Sequence, residues 1–270
     1  MIVLENICVK FNRRSIDEVD ALRDINLHIR PHEFVTIIGT NGSGKSTLLN
    51  AISGTVFPDK GRIFLDEKDV SGKKDFKRAK YISRVFQNPY AGTAPEMTLA
   101  ENLLMALFRG KSRYPKISLK KPLRESFREK LAILEMQLED RLDHVMGTLS
   151  GGQRQAVTLL MAVMQTPKVL LLDEHIAALD PKTAAQVIRL TQLFVSEEKL
   201  TTIMVTHSMK QALELGTRTI MMHQGQIIED IAEEEKKRLT VEYLLGKFED
   251  IRKREKLSPD LIRHLQQQYL

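Results

Sequence analysis

Apolar and polar positions follow two different rhythms along this chain, and the changes of rhythm set out its elements. Residues 2–9 and 22–29 predict strands. In the second, Ile25, Leu27 and Ile29 alternate with Asp24, Asn26, His28 and Arg30, the period of two expected of a half-exposed strand. Asn12 to Asp20, between them, is polar and charged and predicts a loop. Phe34-Val35-Thr36-Ile37-Ile38 is an apolar run, as in a parallel strand covered on both faces. Ser46 to Ser53 then predicts a helix with Leu48, Leu49 and Ile52 on one face and Gly54 as its stop. Gly61–Leu65 and Tyr81–Phe86 predict two more strands, and the early strands suggest an antiparallel flank beside a parallel core.

From Thr98 to Asp140 the period becomes helical. Thr98-Leu99-Ala100-Glu101 fits a capping box and is followed by Leu103, Leu104, Leu107 and Phe108. Arg109 to Arg124 is basic, carries Pro115 and Pro122, and predicts an exposed loop; Phe127 to Leu138 is amphipathic through Phe127, Leu131 and Leu134. This helical region, roughly residues 88–166, reads as an insertion in an alternating α/β chain. Buried strands return at Val169–Leu172 and Thr202–Thr206, and Arg218–Met222 with Gln226–Ile231 predicts a hairpin about Gln224-Gly225. The fold class is therefore α/β, a mixed sheet with an antiparallel flank and a helical subdomain, over residues 1–231. Residues 232–270 predict a helical extension packed on the domain. A charge run at 233–238 precedes Leu244, Phe248 and Ile251 at helical spacing, and Ser258-Pro259 opens a short helix with Leu261, Leu265 and Tyr269.

Composition narrows the class. Hydrophobic residues make up 42% and charged residues 28% of the 270, as in a soluble globule. No apolar run approaches the roughly 20 residues of a membrane span. The start of the chain has no basic region followed by an apolar core, so no secretory signal is predicted. The single Cys8 has no internal disulfide partner; it reads as a small buried strand residue, and a reducing, cytoplasmic setting is the default. The net charge of +6 fits a phosphate site as well as an acidic partner. With no Trp and 6% aromatics there is no basic patch interleaved with aromatics, so no nucleic-acid partner is expected.

The chemistry concentrates at Gly39-Thr40-Asn41-Gly42-Ser43-Gly44-Lys45-Ser46-Thr47, which fits G-x-x-x-x-G-K-[ST] between a strand and a helix. Glycines let backbone N–H groups turn inward around an anion, and the helix N-terminus adds partial positive charge. Lys45 is expected to reach the β- and γ-phosphates of a nucleotide, and the Ser46 hydroxyl to ligate Mg²⁺. Asp173 and Glu174 end an aliphatic strand at the sheet edge where open α/β folds bind ligands. Asp173 is the candidate for the Mg²⁺ shell, through water, and Glu174 for polarising an attacking water. Ser150 and Gln153 of Leu149-Ser150-Gly151-Gly152-Gln153 fit a capping box, and the glycines beside it make a second anion cradle. Two cradles on different lobes suggest a site shared between protomers.

Taken together, these motifs resemble an ATP-binding-cassette ATPase, the nucleotide-binding subunit of ABC transporters, over residues 1 to about 231. They stand in the family's order: phosphate loop, Gln87 after a strand, the Leu149–Gln153 signature, the run ending at Asp173 and Glu174, Ala178-Leu179-Asp180 as the D-loop, and His207 as the switch histidine. The resemblance implies a homodimer that sandwiches two Mg-ATP head to tail, with Ser150, Gly151 and Gly152 of one copy facing the Lys45 loop of the other. It implies that Gln87 senses Mg²⁺ and the water, that His207 contacts the γ-phosphate, and that Phe11 stacks on adenine. His175 and Ile176 stand where the family often has Pro and Thr or Ser. The Met161, Met164, Met221 and Met222 spots read as core filler.

The same resemblance implies ATP hydrolysis coupled to an integral membrane permease. A coupling helix of the permease would enter a groove near Gln87 to Met97. An importer fed by an extracytoplasmic solute-binding protein fits best, for a small solute such as an amino acid, with the chain at the cytoplasmic face of the membrane. A non-transport relative acting on DNA or the ribosome is the alternative, and a non-hydrolysing scaffold a third reading. Against the alternative, the chain has a single cassette and no sustained heptads between the phosphate loop and the signature.

Overall fold

A computed structural model of the chain describes residues 1–13, 15–111 and 119–255. Pro115, the helix expected around Leu261, Leu265 and Tyr269, and the side chain of Ile251 lie outside the described residues. The strands are β1 (Ile2–Phe11), β2 (Val19–Ile29), β3 (Phe34–Gly39), β4 (Lys60–Leu65), β5 (Lys68–Asp69), β6 (Ile82–Val85), β7 (Val169–Asp173), β8 (Thr201–Val205), β9 (Arg218–His223) and β10 (Gln226–Ile231). The helices are α1 (Lys45–Ser53), α2 (Asp75–Arg78), α3 (Leu99–Leu107), α4 (Lys121–Ala132), α5 (Gly151–Val163), α6 (Pro181–Glu197), α7 (Met209–Glu214), α8 (Glu233–Lys236) and α9 (Val241–Glu255).

Among the described residues the strands form two sheets. One is antiparallel, in the order β2-β1-β4-β5; the other runs β10-β9-β3-β8-β7-β6. In the second, β9, β3, β8, β7 and β6 are parallel, and β10 pairs antiparallel with β9 at the edge. Every residue of β3, β7 and β8 is buried, which explains why these strands show no alternation. The parallel strands place the end of β3, the end of β7 and the end of β8 along one edge. That edge carries the phosphate-loop residues, Asp173-Glu174 and His207.

The phosphate-loop helix is anchored from behind. The Arg78 guanidinium is 1% exposed. It donates to the carbonyls of Ala51 and Ile52 at 2.8 Å each, to Lys73 at 2.8 Å and to Ser71 at 3.1 Å. Ala51 and Ile52 lie in the last turn of α1, where carbonyls lack helical partners, so a buried cation satisfies them. Burial pulls the Arg78 pKa down to about 10 against the opposing pull of the Asp69 carboxylate, and the residue is still charged at neutral pH.

Two boundaries differ from the sequence expectation. Pro122 does not mark a loop: it sits in the first turn of α4, where its missing N–H costs nothing. The same helix stops at Ala132 instead of Leu138, because Glu135 (φ 54°) and Gln137 (φ 56°) turn left-handed. Leu134 and Leu138 stay fully buried, but from a turn. The loop after β1 is also shorter than expected, since Val19 and Asp20 already belong to β2. Cys8 is half-buried instead of buried, and its Sγ accepts from the Asp24 N–H at 3.4 Å.

The helices α3, α4 and α5 bury Leu99, Leu103, Phe127, Leu131 and Val157 in one cluster that also takes in Leu172 and Val187. At the other end, Leu244 and Phe248 of α9 pack with Ile38, Met209, Met221 and Ile231. Lys236 ties the extension down further, its buried ammonium donating to the Leu215 and Gly216 carbonyls at 2.5 and 3.2 Å. Met221 and Met222 are fully buried, as core filler should be.

Candidate functional site

The phosphate loop is built by a strand that ends and a helix that starts within six residues. Gly44 stands at the N-terminus of α1 with φ 97°, and a Cβ there would lie 2.5 Å from the Ala21 carbonyl oxygen. Only glycine meets both demands, so the sequence position and the tight approach of β2 require each other. Lys45 is buried, and its Nζ donates to the carbonyls of Gly39 at 2.7 Å and Thr40 at 3.0 Å, with Ser43 Oγ at 3.5 Å. The ammonium therefore curls over its own loop. Burial lowers its pKa, and the carboxylates of Glu174 and Asp173 push back the other way.

A cavity of about 660 Å³ opens above this loop. Phe11, Asn41, Gly42, Ser43, Gly44, Lys45, Ser46 and Thr47 line it, joined across the sheet edge by Gln87, Glu174 and His207. These residues come from β1 of the antiparallel sheet, the loop after β3, the start of α1 and the ends of β6, β7 and β8, so the cavity lies where both sheets contribute. Gly39 and Thr40 do not line the cavity; their carbonyls accept from the Lys45 ammonium. Asp173 is 8% exposed and sits behind the wall, with its Oδ1 3.5 Å from Ser46 Oγ. Glu174 adopts φ 47°, a left-handed backbone that a glutamate rarely takes, and its side chain pairs with His207 Nε2.

The second cradle does not line this cavity. Ser150 caps α5 as the sequence predicted: its Oγ accepts from Gln153 N at 3.3 Å, and Gln153 Oε1 accepts from Ser150 N at 3.2 Å. Ser150 and Gly151 are exposed, with open space where a Gly151 side chain would be. Gly152 is buried, and a Cβ there would come within 2.0 Å of Thr183 Cγ2. Asp180, exposed, caps α6 by accepting from Thr183 N at 3.1 Å. One chain thus has one anion cradle lining the cavity and a second one exposed outside it.

Three residues, Val19, Arg84 and Asn50, were not legible in the sequence. Val19, 53% exposed, is the cross-strand partner of Phe11, 39% exposed, and both face the cavity mouth, forming an apolar lip suited to a flat ring. Arg84 on β6 donates to Asp173 Oδ2 and to Asn50 Oδ1 at 2.5 Å each. Asn50 belongs to α1, so these contacts join the loop helix to two strands. A second cavity, of about 500 Å³, lies between the sheet and the helical region, lined by Arg84, Phe86, Gly92, Met105 and Met161, with exposed Phe76 at its rim.

His175 follows the site carboxylates but faces away from them. It is 2% exposed, its Nε2 lies 3.1 Å from Thr191 Oγ1, and its Nδ1 has no hydrogen-bond partner among the described residues. Burial pushes its pKa down to about 4. The native ring is thus neutral while the unfolded ring takes a proton below its ordinary 6.5. Stability is therefore complete above pH 6.5 and falls as the pH drops toward 4, by up to about 3 kcal/mol. Denaturant melts from pH 7.5 to 4.5 should show this slope, and His175→Gln should flatten it.

A family model described as "ABC transporter" matches residues 22–177. The chain is 45% identical over 252 residues to a tyrosine transport ATP-binding protein of Clostridioides difficile, covering 92% of this chain and 99% of that protein. It is 37% identical over 226 residues to a sulfate/thiosulfate import ATP-binding protein of Halalkalibacterium halodurans, covering 84% of this chain but 60% of that longer protein. Among solved structures it is similar to a dimeric ATP-binding cassette in a post-hydrolysis state bound to ADP and Pi, at a TM-score of 0.73 and 30% identity, over 86% of this chain and 99% of that one. A nucleotide-free cassette of an ABC transporter matches at a TM-score of 0.73 and 29% identity, over 87% of this chain and 92% of that one.

Proposed function

This chain belongs to the ABC transporter ATP-binding family, and from that premise we propose that it powers import of a small solute of the amino-acid class through a separate membrane permease. Membership makes it an ATP-binding, ATP-hydrolysing transport subunit. The near full-length match to a tyrosine transport protein carries the solute class, and the import names of the other relatives favour transport over action on DNA or the ribosome. An extracytoplasmic solute-binding protein and a place at the cytoplasmic face of the membrane belong to the same proposal.

The roles follow from the cavity. Phe11 and Val19 receive the adenine, the backbone N–H groups of 41–47 receive the phosphates, and Lys45 exchanges its loop carbonyls for phosphate oxygens. Glu174, paired to His207, accepts from the attacking water and orients it; His207 then faces the terminal phosphate and Gln87 the water. Ser46 Oγ and Asp173 Oδ1 are hard oxygen donors on one side of the loop, a set that fits Mg²⁺, which takes one or two carboxylates plus water and phosphate. Held by these two oxygens, Mg²⁺ would supply positive charge to offset that of the phosphate oxygens.

Ser150 and Gly151, exposed and away from the phosphate-loop cavity, and Gly152 buried behind them against Thr183, form the tip that closes on the phosphates held by a second copy, with Asp180 beside it. The groove beside Phe86 and Met105 suits an amphipathic segment of the permease. Removing the gene should reduce uptake of labelled tyrosine or another amino acid to carrier-independent entry, with recovery on re-expression. Tagged protein should also draw a polytopic membrane protein out of solubilised membranes. Unchanged uptake of every amino acid would overturn the solute class, and absence of any membrane partner would overturn transport.

A further inference from the structure

Asp173 presents its two oxygens to different partners. Oδ1 faces Ser46 Oγ at 3.5 Å, on the side of the phosphate loop, and Oδ2 accepts from Arg84 Nη2 at 2.5 Å. The other arm of the Arg84 fork donates to Asn50 Oδ1 at 2.5 Å, and the side chain is 12% exposed. A planar guanidinium held at both arms in a poorly hydrated place fixes the plane of the carboxylate it binds. The carboxylate is thereby held with one chosen oxygen toward Ser46.

The far side of Arg84 leads elsewhere. Its guanidinium carbon lies 4.8 Å from the centre of the Phe86 ring, and both side chains line the groove of about 500 Å³ between the sheet and the helical region. The Phe86 carbonyl accepts from Gln155 Nε2 of α5 at 3.3 Å. Neither Arg84 nor Phe86 lines the phosphate-loop cavity. One stacked pair therefore touches the groove on one side and the carboxylate behind the loop on the other.

We propose that Arg84 is a positioning residue that aims Asp173 at the metal side of the phosphate loop and passes to it what happens in the groove. This rests on the reading of Asp173 as a metal-facing carboxylate. A segment pressed against Phe86 shifts the stack, the fork follows, and the oxygen presented beside Ser46 moves with it. Groove occupancy is then read as a change in metal affinity without any contact between the two sites.

The test uses the full-length protein with AMP-PNP, and Mn²⁺ as the probe. Binding is followed by loss of the free-ion EPR signal, with nucleotide binding in excess EDTA measured alongside. Arg84→Met and Arg84→Lys should each weaken Mn²⁺ by about 10- to 100-fold, because outer partners of metal ligands carry effects of that size and lysine lacks the fork. Nucleotide binding in EDTA should be unchanged. Phe86→Ala, which leaves the fork in place, should weaken Mn²⁺ by about twofold to fivefold and add nothing in the Arg84→Met background, as coupled neighbours do. The inference is overturned if Asp173→Asn weakens Mn²⁺ but the Arg84 variants do not, or if the Phe86 effect persists without Arg84. If Asp173→Asn itself leaves Mn²⁺ binding intact, the reading of Asp173 falls instead.

Discussion

Glu174→Gln is expected to slow ATP turnover by about 10²- to 10³-fold while nucleotide binding survives, the loss a positioned base or orienting acceptor should cause. The carboxylate lies in the cavity with Lys45 and Ser46, on a left-handed backbone that points it away from the strand it follows. Glutamine keeps the volume and one acceptor oxygen but loses the charge that draws a proton from water. With ATP unbroken, the closed pair of chains should accumulate. Gel filtration of the variant with ATP and Mg²⁺ should therefore show a dimer, and wild type under turnover should show mostly monomer. A variant that remains wholly monomeric would argue against a site completed by a second copy.

Lys45→Ala should weaken ATP binding by about 10- to 100-fold, since a charge-assisted hydrogen bond is worth roughly 1.5–3 kcal/mol. The buried ammonium already holds three loop oxygens, so its loss also leaves the Gly39 and Thr40 carbonyls without that donor. Turnover at saturating ATP should fall as well, because the cation faces charge that grows on the phosphate during transfer. Equilibrium binding of a fluorescent ATP analogue separates the two effects. Unchanged affinity and unchanged turnover together would remove the phosphate-loop assignment.

Much of this site could be read from the chain because its parts are local. The loop at 39–47 carries its own glycines, lysine and hydroxyl, and the capping box at Ser150–Gln153 closes within one turn. Buried strands announced themselves as apolar runs, and both hairpin strands at 218–231 fell where the turn residues placed them. What escaped depends on which strands are neighbours. Arg84 meets Asp173 only because β6 lies parallel to β7, and Val19 meets Phe11 only through the register of β1 and β2. Pro122 misled for a different reason: proline ends a helix from inside but is welcome in its first turn, and composition does not say which. The burial of His175 depends on α6 packing over it, and no motif signals that.

The missing side chain at position 152 has a reach beyond its own helix. Because it lets Thr183 come close, the tip that carries Ser150 and the tip that carries Asp180 share a single anchorage, one as the start of α5 and the other as the start of α6. Whatever meets that surface meets both tips at a fixed spacing. A mate would thus find a rigid two-pronged socket, and even one methyl group added at its root would splay both prongs together.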